Sequence, residues 1–361
     1  MLEIETPALL LDADVVERNL THMAARARTL GVALRPHVKT HKCVTLGRRQ
    51  LAHGAQGITV ATLAEAEAFA AAGFEDILWA FPIDPSHLPR ARRIATRTRL
   101  GVVTDDLATA RALAGSDLSV WLKVDCGYGR AGVDPRGAYA LEVAAELARE
   151  RGISFGGILS HSGHAYRSRT RPEAAAVAES ERAVMVAFAE KLRGAGMPVR
   201  GVSVGSTPAM AAVERLDGVT EARPGNYVFY DRTMVRIGCC GEEDVGVTVL
   251  ATVVSHQPGA DHFVVNAGAL ALSKDTGPAH VGGPVTYGVV RGHPELTLVS
   301  LSQEHGVIRA TTPGALAGKF PVGMQVEIVP NHSCLTVAHF DHYDVARSGQ
   351  VVEQWAISRA R

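Results

Sequence analysis

From its first residues to about position 235, this chain alternates short β-like runs with helix-like segments, and that alternation limits the folds open to it. Candidate strands occupy 8–11, 32–35, 58–61, 77–80, 101–103, 120–124, 158–160 and 202–204. Between them lie Ala-, Glu- and Arg-rich stretches with helical spacing, such as Val15, Val16, Leu20, Met23, Ala27 and Leu30. Thr62-Leu63-Ala64-Glu65 has the pattern of a capping box, and Gly73 is placed to end the helix it opens. Strand then helix, repeated about eight times, reads as a (β/α)8 TIM-type barrel or a doubly wound sheet. No early Gly-x-Gly-x-x-Gly turn is present, which weakens the dinucleotide-binding version of the second option. After about residue 238 the texture changes to β-branched runs at 245–254, 263–266 and 325–329, separated by Gly-, Pro- and His-rich turns. The expectation is an α/β barrel over 1–237 followed by a mostly β domain over 238–361.

Composition excludes several classes. With 361 residues, 47% of them hydrophobic, the chain has ample material for a core. A formal net charge of +0 gives no argument for nucleic acid or a membrane surface. No apolar run approaches the roughly 20 residues of a membrane span, and the N-terminus lacks the pattern of a signal peptide. The cysteines, Cys43, Cys126, Cys239, Cys240 and Cys334, are scattered and odd in number, which predicts reduced thiols in a cytoplasmic protein. Cys126, Cys239 and Cys240 read as small buried hydrophobes, and Phe69, Phe74 and Met210 as core.

Several unusual motifs fall where candidate strands stop, the end of a parallel barrel at which chemistry gathers. Arg35-Pro36-His37-Val38-Lys39-Thr40-His41-Lys42 presents an amine among imidazoles and a second amine. Burial and neighbouring positive charge would lower the amine pKa of Lys39, as Schiff-base chemistry requires; the alternative is a basic surface loop. Lys123-Val124-Asp125-Cys126-Gly127-Tyr128-Gly129-Arg130, His161-Ser162-Gly163-His164-Ala165-Tyr166 and Gly205-Ser206-Thr207-Pro208 follow three other candidate strands. In the last of these, Pro208 suits a first helical position, so the hydroxyls before it either hold an anion or simply cap the helix. Arg223-Pro224-Gly225-Asn226-Tyr227 offers a second set of amides to the same anion, and the combination suggests pyridoxal phosphate. In the β domain, His332 and Cys334 within Pro330-Asn331-His332-Ser333-Cys334 would share one face of a strand and could bind a single metal ion, zinc by ligand softness.

These motifs, with the segments 202–210, 216–221 and 303–306, resemble the D-serine dehydratase and D-threonine aldolase family over nearly the whole chain, nearest its dehydratase branch. The resemblance implies the alanine-racemase-like fold, a pyridoxal-phosphate barrel of fold type III with a C-terminal β domain. It implies that Lys39 carries pyridoxal 5'-phosphate and that Tyr166 lies near it. Gly205, Ser206, Thr207, Gly225, Asn226 and Tyr227 would surround the phosphate, and either Arg130 or Arg223 would face the pyridine nitrogen. His332 and Cys334 would hold a divalent metal, zinc before manganese or magnesium. His161 is a candidate catalytic group, and His164 is an extra ligand, an extra base or a loop residue. The implied activity is lysis of a small D-3-hydroxy amino acid, D-serine or D-threo-3-hydroxyaspartate, by elimination of water. Retro-aldol cleavage is the alternative, since the aldolase branch commonly has Asp where this chain has Cys334. A racemase, with Tyr227, Tyr230 or Tyr287 as second base, or a non-catalytic cofactor carrier ranks lower, and a homodimer is expected. Arg167, Arg169 and Arg171 would recognise a second substrate carboxylate or form a solvated loop.

Overall fold

The computed structural model describes residues 2–149, 152–312, 316 and 318–359, and the chain divides into two compact units. One comprises residues 21–225, the other residues 2–20 with 226–359.

The first strand, β1 (Ala8–Asp12), belongs to the second of these units. The 21–225 unit contains β2 (Ala33–Leu34), β3 (Ile58–Val60), β4 (Asp76–Pro82), β5 (Arg99–Thr104), β6 (Leu118–Lys123), β7 (Ile153–Leu159), β8 (Gly201–Val204) and β9 (Glu221–Ala222). They form one parallel sheet in the order β2-β9-β8-β7-β6-β5-β4-β3, and a parallel bridge between His37 and Thr59 joins its two edges. A parallel sheet needs crossover helices between its strands, and the alternating segments supply them. The helix Leu63–Ala71 is one example. Thr62 accepts from the Glu65 amide at 3.1 Å, Glu65 accepts in return from the Ala61 amide at 2.7 Å, and Gly73 follows the helix at φ +86°. Phe69 and Phe74, 4.9 Å apart edge to face, pack beneath it.

The expected strand at 8–11 exists, but it is not a barrel strand. A fully apolar run of four residues fits a buried strand of any sheet, so periodicity does not reveal its partner. The eighth barrel strand is instead β9, two residues long and too short to leave a pattern.

The other unit is a nine-stranded sheet that adds β10 (Val247–Ser255), β11 (His262–Val265), β12 (Gly288–Val290), β13 (His293–Leu301), β14 (Gly306–Ala310), β15 (Gln325–Pro330), β16 (His342–Arg347) and β17 (Gln350–Ala356). Their order is β11-β14-β13-β12-β15-β10-β1-β16-β17, with β11 also pairing to β10 and so closing six of the strands on themselves. In it β1 runs antiparallel to β10 and parallel to β16. The units therefore divide the chain at 20 and 225, where the sequence suggested a single boundary at 237.

Candidate active site

In the barrel unit, Lys39 sits on a single 3-10 turn, Val38–Thr40, just past β2, and its side chain is exposed. His37 caps this turn, its Nδ1 accepting from the Lys39 amide at 3.4 Å. Burial, then the charges of Lys39, His161 and Arg223, push the His37 pKa well below its usual value. His41 is driven down to about 4, mainly by burial. Its Nδ1 accepts from the Cys43 amide at 3.0 Å and its Nε2 meets Gln50 Oε1 at 3.2 Å. Both imidazoles are thus neutral at physiological pH, and the expected cluster of cations is a set of neutral hydrogen-bonding rings. Lys42 is drawn aside, 3.6 Å from Glu65.

His161 follows β7 and meets the Gly205 carbonyl through Nδ1 at 3.1 Å. Burial and the nearby Lys39, Lys123 and Arg130 hold its pKa well below normal. A neutral ring facing a carbonyl through Nδ1 carries its proton there, which leaves Nε2 as a lone-pair acceptor. The Tyr128 ring stands between two histidines, 6.0 Å from His161 edge-on and 6.0 Å from His164 in a stack. The Arg130 and Arg167 guanidiniums lie 5.1 and 6.0 Å from the centre of the same ring. Gly163 is required here, because a Cβ at that position would come within 2.5 Å of Tyr128. Tyr166 is half-buried on the same turn, Gly163–Arg167.

A buried polar network underlies these groups. Glu181, from the helix Arg171–Gly194, accepts from Ser160 Oγ at 2.7 Å, Ser162 Oγ at 2.6 Å and the Gly205 amide at 3.3 Å. Arg223 donates to Ser203 Oγ and the Ser160 carbonyl, and burial lowers its pKa to about 10 without discharging it at neutral pH. Ser203 in turn donates to Glu221 at 2.6 Å, and Glu221 accepts from Arg35 at 2.9 Å. Lys123, at the end of β6, is 5% exposed, and burial with the Arg223 and Arg130 charges lowers its pKa to about 7.

Ser206 caps the short helix Thr207–Ala212, accepting from the Ala209 amide at 3.4 Å, with Pro208 in its first turn and Thr207 fully buried. A Cβ on Gly225 would lie 2.8 Å from the His37 carbonyl, so the chain can pass the Lys39 turn only as glycine. The charges of Lys39, Lys123, Arg130 and Arg223 reach His37 or His161, so the strand-end motifs converge. Asn226 and Tyr227 belong to the other unit. There Asn226 Nδ2 donates to Asp231 at 2.6 Å and Ser333 at 3.1 Å, while its buried Oδ1 has no partner among the described residues.

In that β unit, His332 and Cys334 are not on a strand. β15 ends at Pro330, and His332 is the cap residue of the helix Ser333–Val337 that contains Cys334. Their side chains nevertheless hydrogen-bond each other, and His332 Nδ1 also meets Asp275 Oδ2 at 3.1 Å. Burial opposes the imidazolium, but Asp275, Cys334 and Asp231 outweigh it and raise the His332 pKa to about 11. A thiol, an imidazole and a carboxylate behind that imidazole suit an open metal site with two protein ligands, the carboxylate orienting the histidine. Among the described residues no cluster of three or more His, Cys, Asp or Glu side chains could hold a metal by itself.

Sequence reasoning missed Lys123, Glu181 and Asp275 as members of these clusters. Lys123 had a signal, a charge closing an otherwise apolar strand; Glu181 and Asp275 had none.

A parallel barrel with a lysine just past its first strand, in a chain that also builds a closed β sheet, defines an alanine-racemase-like enzyme. Residues 11–233 match the alanine racemase N-terminal domain, and residues 246–346 match a putative serine dehydratase domain. The chain belongs to the alanine-racemase-like family whose members carry this serine dehydratase domain. It is 41% identical to D-threo-3-hydroxyaspartate dehydratase of Delftia sp. over 98% of this chain and 97% of that one. Identity to D-serine dehydratase of Dictyostelium discoideum is 36%, covering 95% and 93%. Identity to D-threonine aldolase of Arthrobacter sp. is 33%, covering 99% and 93%. A solved D-threo-3-hydroxyaspartate dehydratase, with a cysteine replaced by alanine and in metal-free form, superposes with a TM-score of 0.94 at 40% identity over 98% of both chains.

Proposed function

We propose that this chain is a pyridoxal-phosphate- and metal-dependent lyase that eliminates water from a D-3-hydroxy amino acid, giving a 2-oxo acid and ammonia. The observation that carries the reading is the side-chain contact between His332 and Cys334, with Asp275 behind the imidazole. A cysteine in this pair, where the aldolase branch commonly has aspartate, favours dehydration over retro-aldol cleavage. The similarity to a relative whose cysteine variant was solved metal-free supports the same reading.

The residues fit the cofactor. The exposed Lys39 amine would carry it, Gly225 leaves room beside the Lys39 turn, and the buried Arg223 cation or Arg130 would face the pyridine nitrogen. Gly205, Ser206, Thr207 and Gly225 would hold its phosphate together with Asn226, whose Oδ1 lacks a partner among the described residues, and Tyr227; Tyr166 would flank the ring. When bound, pyridoxal phosphate supplies an electron sink that makes the substrate α-hydrogen acidic. Lys39 Nζ would be the base for that hydrogen. His161 Nε2, unprotonated at neutral pH, is positioned to take up or return a proton close to Lys39. Neutral His37 keeps a competing positive charge away from Lys39 while fixing its turn. His332 Nε2 and Cys334 Sγ would hold the metal, zinc by ligand softness, whose Lewis acidity would assist loss of the C3 hydroxyl. Arg130 and Arg167 around Tyr128 favour a substrate with a second carboxylate, D-threo-3-hydroxyaspartate before D-serine.

Among the described residues no helix is long and apolar enough to cross a membrane. We read the protein as a cytoplasmic homodimer, a reading supported by cysteines that form no disulfide among the described residues and by its family. Burial raises the Cys43, Cys126 and Cys240 pKa values, which suits inert thiols.

The test is product analysis with D-serine, D-threo-3-hydroxyaspartate and D-threonine, with and without a chelator. Oxo acid and ammonia, lost on chelation, are expected. Glycine and an aldehyde would establish retro-aldol chemistry instead.

A further inference from the structure

The barrel unit has a second concave site at the opposite ends of its strands from Lys39. Barrel interiors are normally filled by layers of bulky branched side chains. Here Gly101 in β5, Ser119 in β6, and Ser154 and Gly156 in β7 leave a cavity of about 430 Å³. That volume lies in the range of small-molecule sites. Trp121 forms one wall. Gly156 makes room for it, since a Cβ there would lie 2.6 Å from the indole nitrogen.

Two further features point to a ligand. Thr98, 7% exposed, lines the cavity, and its buried hydroxyl has no hydrogen-bond partner among the described residues. A buried hydroxyl without a partner is destabilising, and a bound acceptor would offset that cost. Asp117, also in the wall, is held at φ +59°, an uncommon conformation for a residue other than glycine.

The charges define the ligand class. Arg35 is occupied by Asp76 at 2.7 Å and Glu221 at 2.9 Å, and Arg99 by Asp76 at 2.8 Å. Arg200, exposed at the rim, has no carboxylate partner among the described residues. One uncommitted guanidinium, a hydroxyl donor and a flat aromatic wall suit an acceptor group attached to a planar body. We propose that this cavity is a second binding site, for a small planar organic carboxylate, separate from the site around Lys39.

Benzoate is a suitable probe, with inorganic phosphate as comparison. Calorimetric titration of the holoenzyme should show saturable benzoate binding. Arg200→Ala should weaken it by roughly tenfold or more through loss of a charge-assisted hydrogen bond. Ser119→Leu, which fills the cavity, should abolish it, and Ser154→Phe at the rim serves if the first filling variant does not fold. The cofactor absorbance should stay unchanged throughout the titration. The proposal is overturned if benzoate does not bind, if phosphate binds in its place, or if the affinity survives both Arg200→Ala and a filling variant.

Discussion

Lys123 offers a quantitative test of the buried network. Burial, reinforced by Arg223 and Arg130, lowers its pKa from the ordinary 10.5 to about 7 in the folded chain. The native state therefore releases this proton near pH 7, while the unfolded chain keeps it until about pH 10.5. Between those values the unfolded state binds more protons, so stability rises with pH. At or below the folded pKa the full cost applies, about 5 kcal/mol for a displacement of this size. From about pH 6 to about pH 9 the relief amounts to about 2.5 kcal/mol, the rest being released at higher pH. Lys123→Met keeps most of the side-chain volume and has no proton to lose. Urea unfolding of the cofactor-free chain and of this variant, across that range, isolates the contribution because other titrating groups cancel in the difference. The wild-type chain should gain about 2.5 kcal/mol more than the variant on going to the higher pH. Parallel stability curves would refute the strongly lowered pKa assigned to Lys123.

Other perturbations test other parts of the structure. Lys39→Ala should abolish both turnover and the visible absorbance of bound pyridoxal phosphate; survival of that band would remove Lys39 from its proposed role. Cys334→Ala and His332→Ala should each lose bound metal, read by elemental analysis, together with elimination activity, and retention of metal in both would make the pair structural. Arg35→Leu leaves Glu221 and Asp76 without their shared cation, so unfolding free energy should fall by about 3–5 kcal/mol; a loss below about 1 kcal/mol would show that the ion pairs contribute little. Arg167→Leu should raise KM for D-threo-3-hydroxyaspartate with little change for D-serine, and equal effects on both would exclude recognition of a second carboxylate.

The sequence by itself determined much of the architecture. Strand–helix alternation carries a periodic signal, so the parallel barrel was legible, and so was the change to β-branched runs near residue 238. Strand ends are where a parallel barrel collects its chemistry, so Lys39, His161 and Gly205 could be named as candidates from their positions, whereas Arg223, past a strand the sequence did not reveal, was named from its motif. What sequence could not decide was pairing between distant segments. A buried apolar run such as Ala8–Asp12 fits either sheet, and only its hydrogen bonds to β10 and β16 assign it to one. The two-residue β9 carries no pattern at all. Protonation was decided by the tertiary structure as well, because it depends on burial and on charges brought together from afar. The histidines beside Lys39 are neutral, and the strongly lowered amine is Lys123. Asp275 and Glu181 reach His332 and Ser160 from 57 and 21 residues away, separations at which no local spacing rule operates. The local code thus names candidate groups, while long-range packing sets their charge and supplies the partners that hold them.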